Sequence, residues 1–213
     1  MRPIVITAGP LAAASATGIA VNQTVTGAAN MVLTSSTVTL DTPRRVLITN
    51  AGNDSGITFT ITGTTFWGVV ISETVTGTNG STVATNNDFA TVTSIKTSGS
   101  TSVSGASAGT NGVAGSSWVR FDDFAPSNIS IQCTVSGTVN YTLQSTLDDP
   151  NSPTNPVLIS SVTWVNSSDT NVVSASATKQ SNFLFAPVYS RVVINSGTGS
   201  VTTTYVQDSN GPY

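Results

Sequence analysis

The 213-residue chain has no histidine, one cysteine (Cys133) and one glutamate (Glu73), and only 8% of its residues are charged. Each shortage closes off a chemistry. Without imidazole there is no serine or cysteine triad of the usual kind, no common general base and no histidine metal ligand. One cysteine forbids an internal disulfide and a cysteine-based zinc site. Seven scattered Lys and Arg against ten Asp and Glu, a formal charge of −3, argue against a nucleic-acid surface, which needs clustered cations. No apolar run approaches the roughly 18 residues of a membrane helix. The opening MRPIVITAGPLAAASA faintly imitates a secretory leader, but Thr7, Gly9 and Pro10 break its apolar run. No enzyme, cofactor, nucleic-acid or membrane role is expected.

What the chain does have is hydroxyl: 36 Thr and 30 Ser, with 18 Gly and 9 Pro. Thr, Val and Ile lose rotamer freedom in a helix and suit a pleated, half-buried surface. The expected class is all-β, with two antiparallel β-sandwich, jelly-roll-like units and an extended amino-terminal arm: arm 1–20, first unit 21–116, second unit 117–213. Alternation over Ile57, Phe59 and Ile61, a turn at 63–68, and Val69, Ile71 and Val75 read as a hairpin. Ile129, Ile131, Cys133 and Val135 alternate up to Gly137, and Val139, Tyr141, Leu143 and Leu147 continue beyond it. Val192 and Ile194 lead into a turn at 196–199, followed by Val201, Thr203 and Tyr205. The glycine-rich stretch 97–117 reads as the longest loop, with Thr101–Ser104 as a strand candidate, and 148–156 as a stiff Pro-rich loop. A weak repeat aligns 57–63 with 131–137, and 89–94 with 185–190; it reads as two related units, though Thr-rich strands also resemble one another by composition.

Few residues invite a chemical role. Glu73 shares strand parity with Ile71 and Val75, which points a carboxylate inward, where it needs a partner; Arg44, Arg45 and Lys96 are the available cations, and a structural ion pair of Glu73 with Arg44 or Arg45 is expected. Asp122-Asp123 and Asp148-Asp149 are the only acidic pairs, and neither has the spacing of a calcium loop, so a solvated or turn-capping role is favoured and no metal is expected. Phe66 and Trp67 occupy a hairpin tip that normally carries Asn, Asp or Gly. They either pack on the other unit or anchor a partner. Asn-x-Ser/Thr triplets at Asn22, Asn128 and Asn166 carry little weight in so hydroxyl-rich a chain. Cys133 reads as a small core residue.

The segments Pro43–Val46, Ile57–Thr64, Ile71–Gly77, Phe89–Ile95 and Asn140–Asp149 give the chain its style of strand and turn, and in that style it resembles tailed-bacteriophage virion structural proteins, most of all capsid decoration, or cement, proteins. The resemblance implies a non-enzymatic protein on the outer capsid surface of a virion. Its partners would be the major capsid protein and copies of itself, as a trimer, and it would stabilise the shell across subunit joints. The extended arm, with Ile4 and Ile6, would then reach a neighbour's sheet edge. A tail, neck or baseplate component has the same composition. A carbohydrate-binding β-sandwich using Trp67, Trp118 or Trp164 is the remaining alternative.

Overall fold

The computed structural model describes residues 3–122 and 128–207. Within them strand is the dominant regular structure: β1 (Ile4–Ala8), β2 (Ser15–Gln23), β3 (Val38–Asn50), β4 (Thr58–Thr64), β5 (Val70–Thr76), β6 (Thr82–Ala84), β7 (Phe89–Thr97) and β8 (Ala106–Gly115). There follow β9 (Val119–Arg120), β10 (Ile129–Ser136), β11 (Val139–Thr146), β12 (Val165–Asn166), β13 (Lys179–Phe183), β14 (Tyr189–Gly197) and β15 (Ser200–Gln207). Two single 3-10 turns, Ile159–Ser161 and Thr170–Val172, are the only helical pieces among the described residues. All-β is therefore the class, and β1–β15, β10–β15, β11–β14, β4–β5 and β4–β7 all pair antiparallel.

The chain divides into two compact units, but not as consecutive halves. One, the split unit, combines Met1–Leu11 with Ala114–Tyr213; the other, the inserted unit, is Ala12–Val113. The division at 113/114 falls close to the expected one, whereas the arm expected over 1–20 does not stand apart. Ile4–Ala8 pairs with β15 over its whole length, Ile4 opposite Tyr205 and Ala8 opposite Val201. Five consecutive residues with two isoleucines gain a full ladder of backbone bonds at a sheet edge, which a solvated arm would forgo.

In the split unit one sheet runs β1-β15-β10-β13, and a second places β11 between β12 and β14. Ile129, Ile131, Cys133, Val201 and Tyr205 from the first sheet share a core with Tyr141, Leu143, Val192 and Ile194 from the second, and Ala8 and Leu11 close it. This is a two-layer sandwich. The alternation read through Gly137 belongs to strands in different layers: the turns β10–β11 and β14–β15 each cross from one sheet to the other. The two crossings nest, with Gly199 N–H donating to the Thr138 carbonyl at 2.8 Å. A Cβ on Gly199 would stand 2.5 Å from the Ser136 carbonyl oxygen, and one on Gly197 (φ +100°) 2.3 Å from that of Thr138. Only glycine fits both places. Leu147, read as the end of the buried series, is exposed, because β11 has ended at Thr146.

In the inserted unit the strand path is β8-β3-β7-β4-β5, with β2 on β8 and β6 on β3. The expected hairpin is present: β4 and β5 pair from Thr58 opposite Thr76 to Thr64 opposite Val70. Phe59 and Ile61 point into a core with Ile19, Val46, Ile48, Phe89, Val92 and Ile95. The echo between 57–63 and 131–137 does not extend to connectivity, since the first ends in a hairpin within one sheet and the second in a crossing between sheets. Nor is 97–117 a loop throughout. Residues 106–115 form the ten-residue β8, and Thr101–Ser104 is instead the approach to a turn closed by Gly105 N–H on the Ser102 carbonyl. Small residues there serve close approach. Ala106 and Ala108 are fully buried, and a Cβ on Gly109 would overlap the Ser15 carbonyl oxygen of β2 at 1.7 Å.

Arg44 is the largest fully buried side chain among the described residues, at 2% exposure. Its Nη1 donates to the Ala12 carbonyl (3.1 Å) and to Asp41 (3.2 Å), and its Nη2 donates to the Asn111 carbonyl (2.6 Å). Asp41 in turn accepts the Ala12 N–H at 2.7 Å. One guanidinium thus ties the entry of the inserted unit to its exit. Arg44→Ala is expected to cost about 3 kcal/mol, from lost charge-assisted bonds and a buried void. Arg44→Lys should recover little of it, because an ammonium lacks the planar fork. Urea midpoints of the two variants check this.

The split-unit core carries a second testable property. Burial pushes the Cys133 thiol and the Tyr141 and Tyr205 hydroxyls above their ordinary ranges, and the nearness of Cys133 adds to the shift at both tyrosines. A raised acid holds its proton longer folded than unfolded. The resulting stabilisation is complete below the ordinary thiol value of 9.0 and is lost as pH rises beyond it. The urea midpoint should fall steadily between about pH 8 and pH 11, and Tyr205→Phe should flatten that fall; a midpoint level across this range would contradict the assignment.

Candidate interaction surfaces

Among the described residues no group of three or more Cys, Asp and Glu side chains is placed to hold a metal ion. The ionised side chains act instead as local clamps. Glu73 lies on the face of Ile71 and Val75, as its parity requires, and is half-buried. The expected ion pair with Arg44 or Arg45 is absent. Glu73 Oε1 accepts the Asn86 N–H (2.7 Å), and Oε2 accepts both the backbone and side-chain N–H of Asn87 (2.8 Å each). Three donors from the segment after β6 satisfy the carboxylate without a cation. The two arginines turn elsewhere on β3, Arg44 to Asp41 and Arg45 to Asp88, whose Oδ1 lies 3.9 Å from Arg45 Nε. Asp54 does similar work unheralded by any motif. Fully buried with Asn50, it accepts the Asn50 amide (2.8 Å) and the Ser102 N–H (2.6 Å).

Asp149 caps a local turn, and Asp148 holds a segment fifteen residues on. Asp148 accepts the Thr163 N–H at 2.7 Å, while Asp149 accepts that of Asn151 at 2.8 Å and the Arg120 guanidinium at 3.2 Å. Asp123, the second member of the other acidic pair, lies outside the described residues. Cys133 is buried in the core, 3.9 Å from the Thr203 hydroxyl.

Of the residues expected at an interface, Ile6 packs against the split-unit core, whereas Ile4 is 41% exposed on the edge strand β1. Phe66 and Trp67 do sit at the β4–β5 tip, their ring centroids 4.3 Å apart, with Trp67 partly exposed. The other two tryptophans come together within the split unit. Trp118 meets Trp164 edge-on at 4.8 Å and Tyr189 at 5.8 Å, and the Arg191 guanidinium lies 4.3 Å over the Trp164 ring. Arg191 is nine-tenths buried and also donates its Nε to Gln144 at 3.0 Å. This is a packed cation–π knot, and it covers one face of Trp164.

Two further surfaces stand out. One is an apolar groove of about 250 Å³ in the split unit, lined by Leu147, Val165, Phe183 and Phe185. Its only sequence signal is the run Phe183-Leu184-Phe185, in which strict alternation fails. The other is a hydroxyl-paved sheet face in the inserted unit. There Thr60 pairs with Thr74 at 2.9 Å, Thr62 with Ser72 at 3.4 Å and Thr64 with Thr91 at 2.7 Å, row upon row. Such cross-strand hydroxyl pairs stabilise a sheet without charge.

Glu73→Gln leaves one acceptor oxygen where there were two and removes the charge, so it should cost about 1–3 kcal/mol. It should also release the amides of Asn86 and Asn87 to rapid hydrogen exchange; protection unchanged at both amides would show that the carboxylate does not hold this segment. No family model, no curated protein and no solved structure matches the chain.

Proposed function

We propose that the protein is a non-enzymatic structural component of a tailed-phage virion, bound on the outer capsid surface and holding the shell together across subunit joints. Its partners in this reading are the major capsid protein and further copies of itself, grouped as trimers. The observation that carries the reading is β1. The strand that opens the chain is the outermost strand of a four-stranded sheet, and Ile4 and Val5 upon it are exposed. An edge strand of this kind accepts or donates a neighbouring strand through its backbone and needs little side-chain chemistry. Many such modest contacts, repeated over a lattice, sum to firm attachment, and binding only the assembled shell stabilises that shell by mass action.

A tail, neck or baseplate position would use the same edge. The carbohydrate-binding reading is weaker, because sugar stacking needs an open aromatic face; Trp164 lies under Arg191 and Trp118 meets it edge-on, which leaves that reading to the exposed Trp67 alone.

Co-sedimentation of the purified protein with empty heads and with isolated tails tests the proposal. Saturable binding to heads, weakened at least tenfold by Val5→Lys while the fold is retained, is the expected outcome. Saturable binding to tails alone would move the protein to the tail or neck. Binding to neither, together with hits on a glycan array, would overturn the structural role in favour of sugar recognition. Deleting residues 1–10 is a poorer test, since Ala8 belongs to the core.

A further inference from the structure

We propose that β5 is a self-association edge, at which two copies of this chain pair antiparallel about a two-fold axis. The inference concerns the purified protein and holds whether or not the virion reading does.

The argument begins with hydrogen-bond parity. Thr65 N–H donates to the Val69 carbonyl and Gly77 N–H to that of Ile57, each at 2.9 Å, so the β4–β5 ladder runs through the odd-numbered residues Ile71, Glu73 and Val75. By the alternation of an antiparallel strand, the backbone groups of Val70, Ser72, Thr74 and Thr76 point away from β4. Among the described residues no strand pairs on that side, for β5 ends its sheet, and these four side chains are exposed.

Sheet edges are normally defended by proline, lysine, a bulge or brevity, and two of the other outer strands show such devices: β13 opens on Lys179, and β12 has two residues. β5 has seven residues, no proline, no cation and no break in register against β4. Its one charge, Glu73, is engaged by Asn86 and Asn87.

The same features select a second copy as the occupant. Ser72 and Thr74 already extend the hydroxyl rows of β4, and a strand presenting Ser and Thr at the same spacing continues those rows. β5 itself is such a strand. Outward-pointing residues must face one another across the new ladder, which permits pairings centred on Ser72, Glu73 or Thr74. Centring on Glu73 would set two carboxylates directly opposite, a destabilising arrangement, so the axis passes beside Ser72 or Thr74. A two-fold contact of this kind is isologous and closed, and it is compatible with joining neighbouring trimers on a lattice.

Sedimentation velocity of the full chain over a range of concentrations provides the test, with two variants that spare the β4 ladder. Thr74→Pro removes one outward N–H, and Val70→Lys places a charge on an exposed edge position. The expected result is reversible self-association of the native chain, weakened at least tenfold in both variants. Ser72→Cys or Thr74→Cys should then yield a covalent dimer with a short bis-maleimide, and Val5→Cys, on the other edge, should not; buried Cys133 does not compete. Should Thr74→Pro fail to fold, Val70→Lys and the crosslinks still decide. A native chain that stays monomeric, an oligomer indifferent to both substitutions, or crosslinking at Val5 equal to that at Ser72 and Thr74 would each overturn the proposal.

Discussion

The inserted unit depends on one guanidinium. A segment placed within another unit must leave and re-enter its host at nearby points, and Arg44 imposes that by gripping the Ala12 and Asn111 carbonyls together. Burying an ionised group is costly unless its donors are satisfied. Here two carbonyls and Asp41 meet the terminal nitrogens, leaving Nε as the buried atom without a bond. Asp41 completes the clasp by holding the Ala12 N–H. The long β3, the approach to β2 and the middle of β8 are thereby referred to one point.

The same economy recurs elsewhere. In a chain this poor in charge, several ionised side chains engage backbone groups or an aromatic face: Glu73 and Asp54 gather N–H donors, and Arg191 lies on Trp164. The broad surfaces are left to hydroxyls that satisfy one another across strands. This division keeps sheet faces neutral, and neutral faces can meet other proteins without desolvating ions.

The legible part of the fold was local. The β4–β5 hairpin, the inward parity of Phe59, Ile61, Ile131 and Cys133, and the turns at Gly137 and Gly197 follow from alternation and glycine alone. What was not legible depends on partners remote in sequence. Whether the chain reverses within a sheet or crosses to another is decided by what packs beneath it, so Gly63 and Gly137 look alike and act differently. β8 was hidden because Gly and Ala mark loops as readily as they mark strands that another backbone approaches closely. Glu73 was correctly placed on its face but assigned the wrong partners, since local parity says nothing of backbone N–H groups arriving from Asn86 and Asn87. The joining of Trp118, Trp164 and Arg191 has no local signature at all.

The pairing of β1 with β15 carries a consequence for biosynthesis. Ile4 lies opposite Tyr205, about two hundred residues later, and at ribosomal rates of about 5–20 residues per second the first strand waits on the order of ten to forty seconds for its partner. The inserted unit, complete by Val113, emerges whole within that interval, while the host must hold β1 uncommitted until β15 has been made. Slow, long-range closure of this kind is the step at which a nascent chain is most exposed to stray strand pairing. The prolines on either side of β1 keep that edge to five residues while it waits.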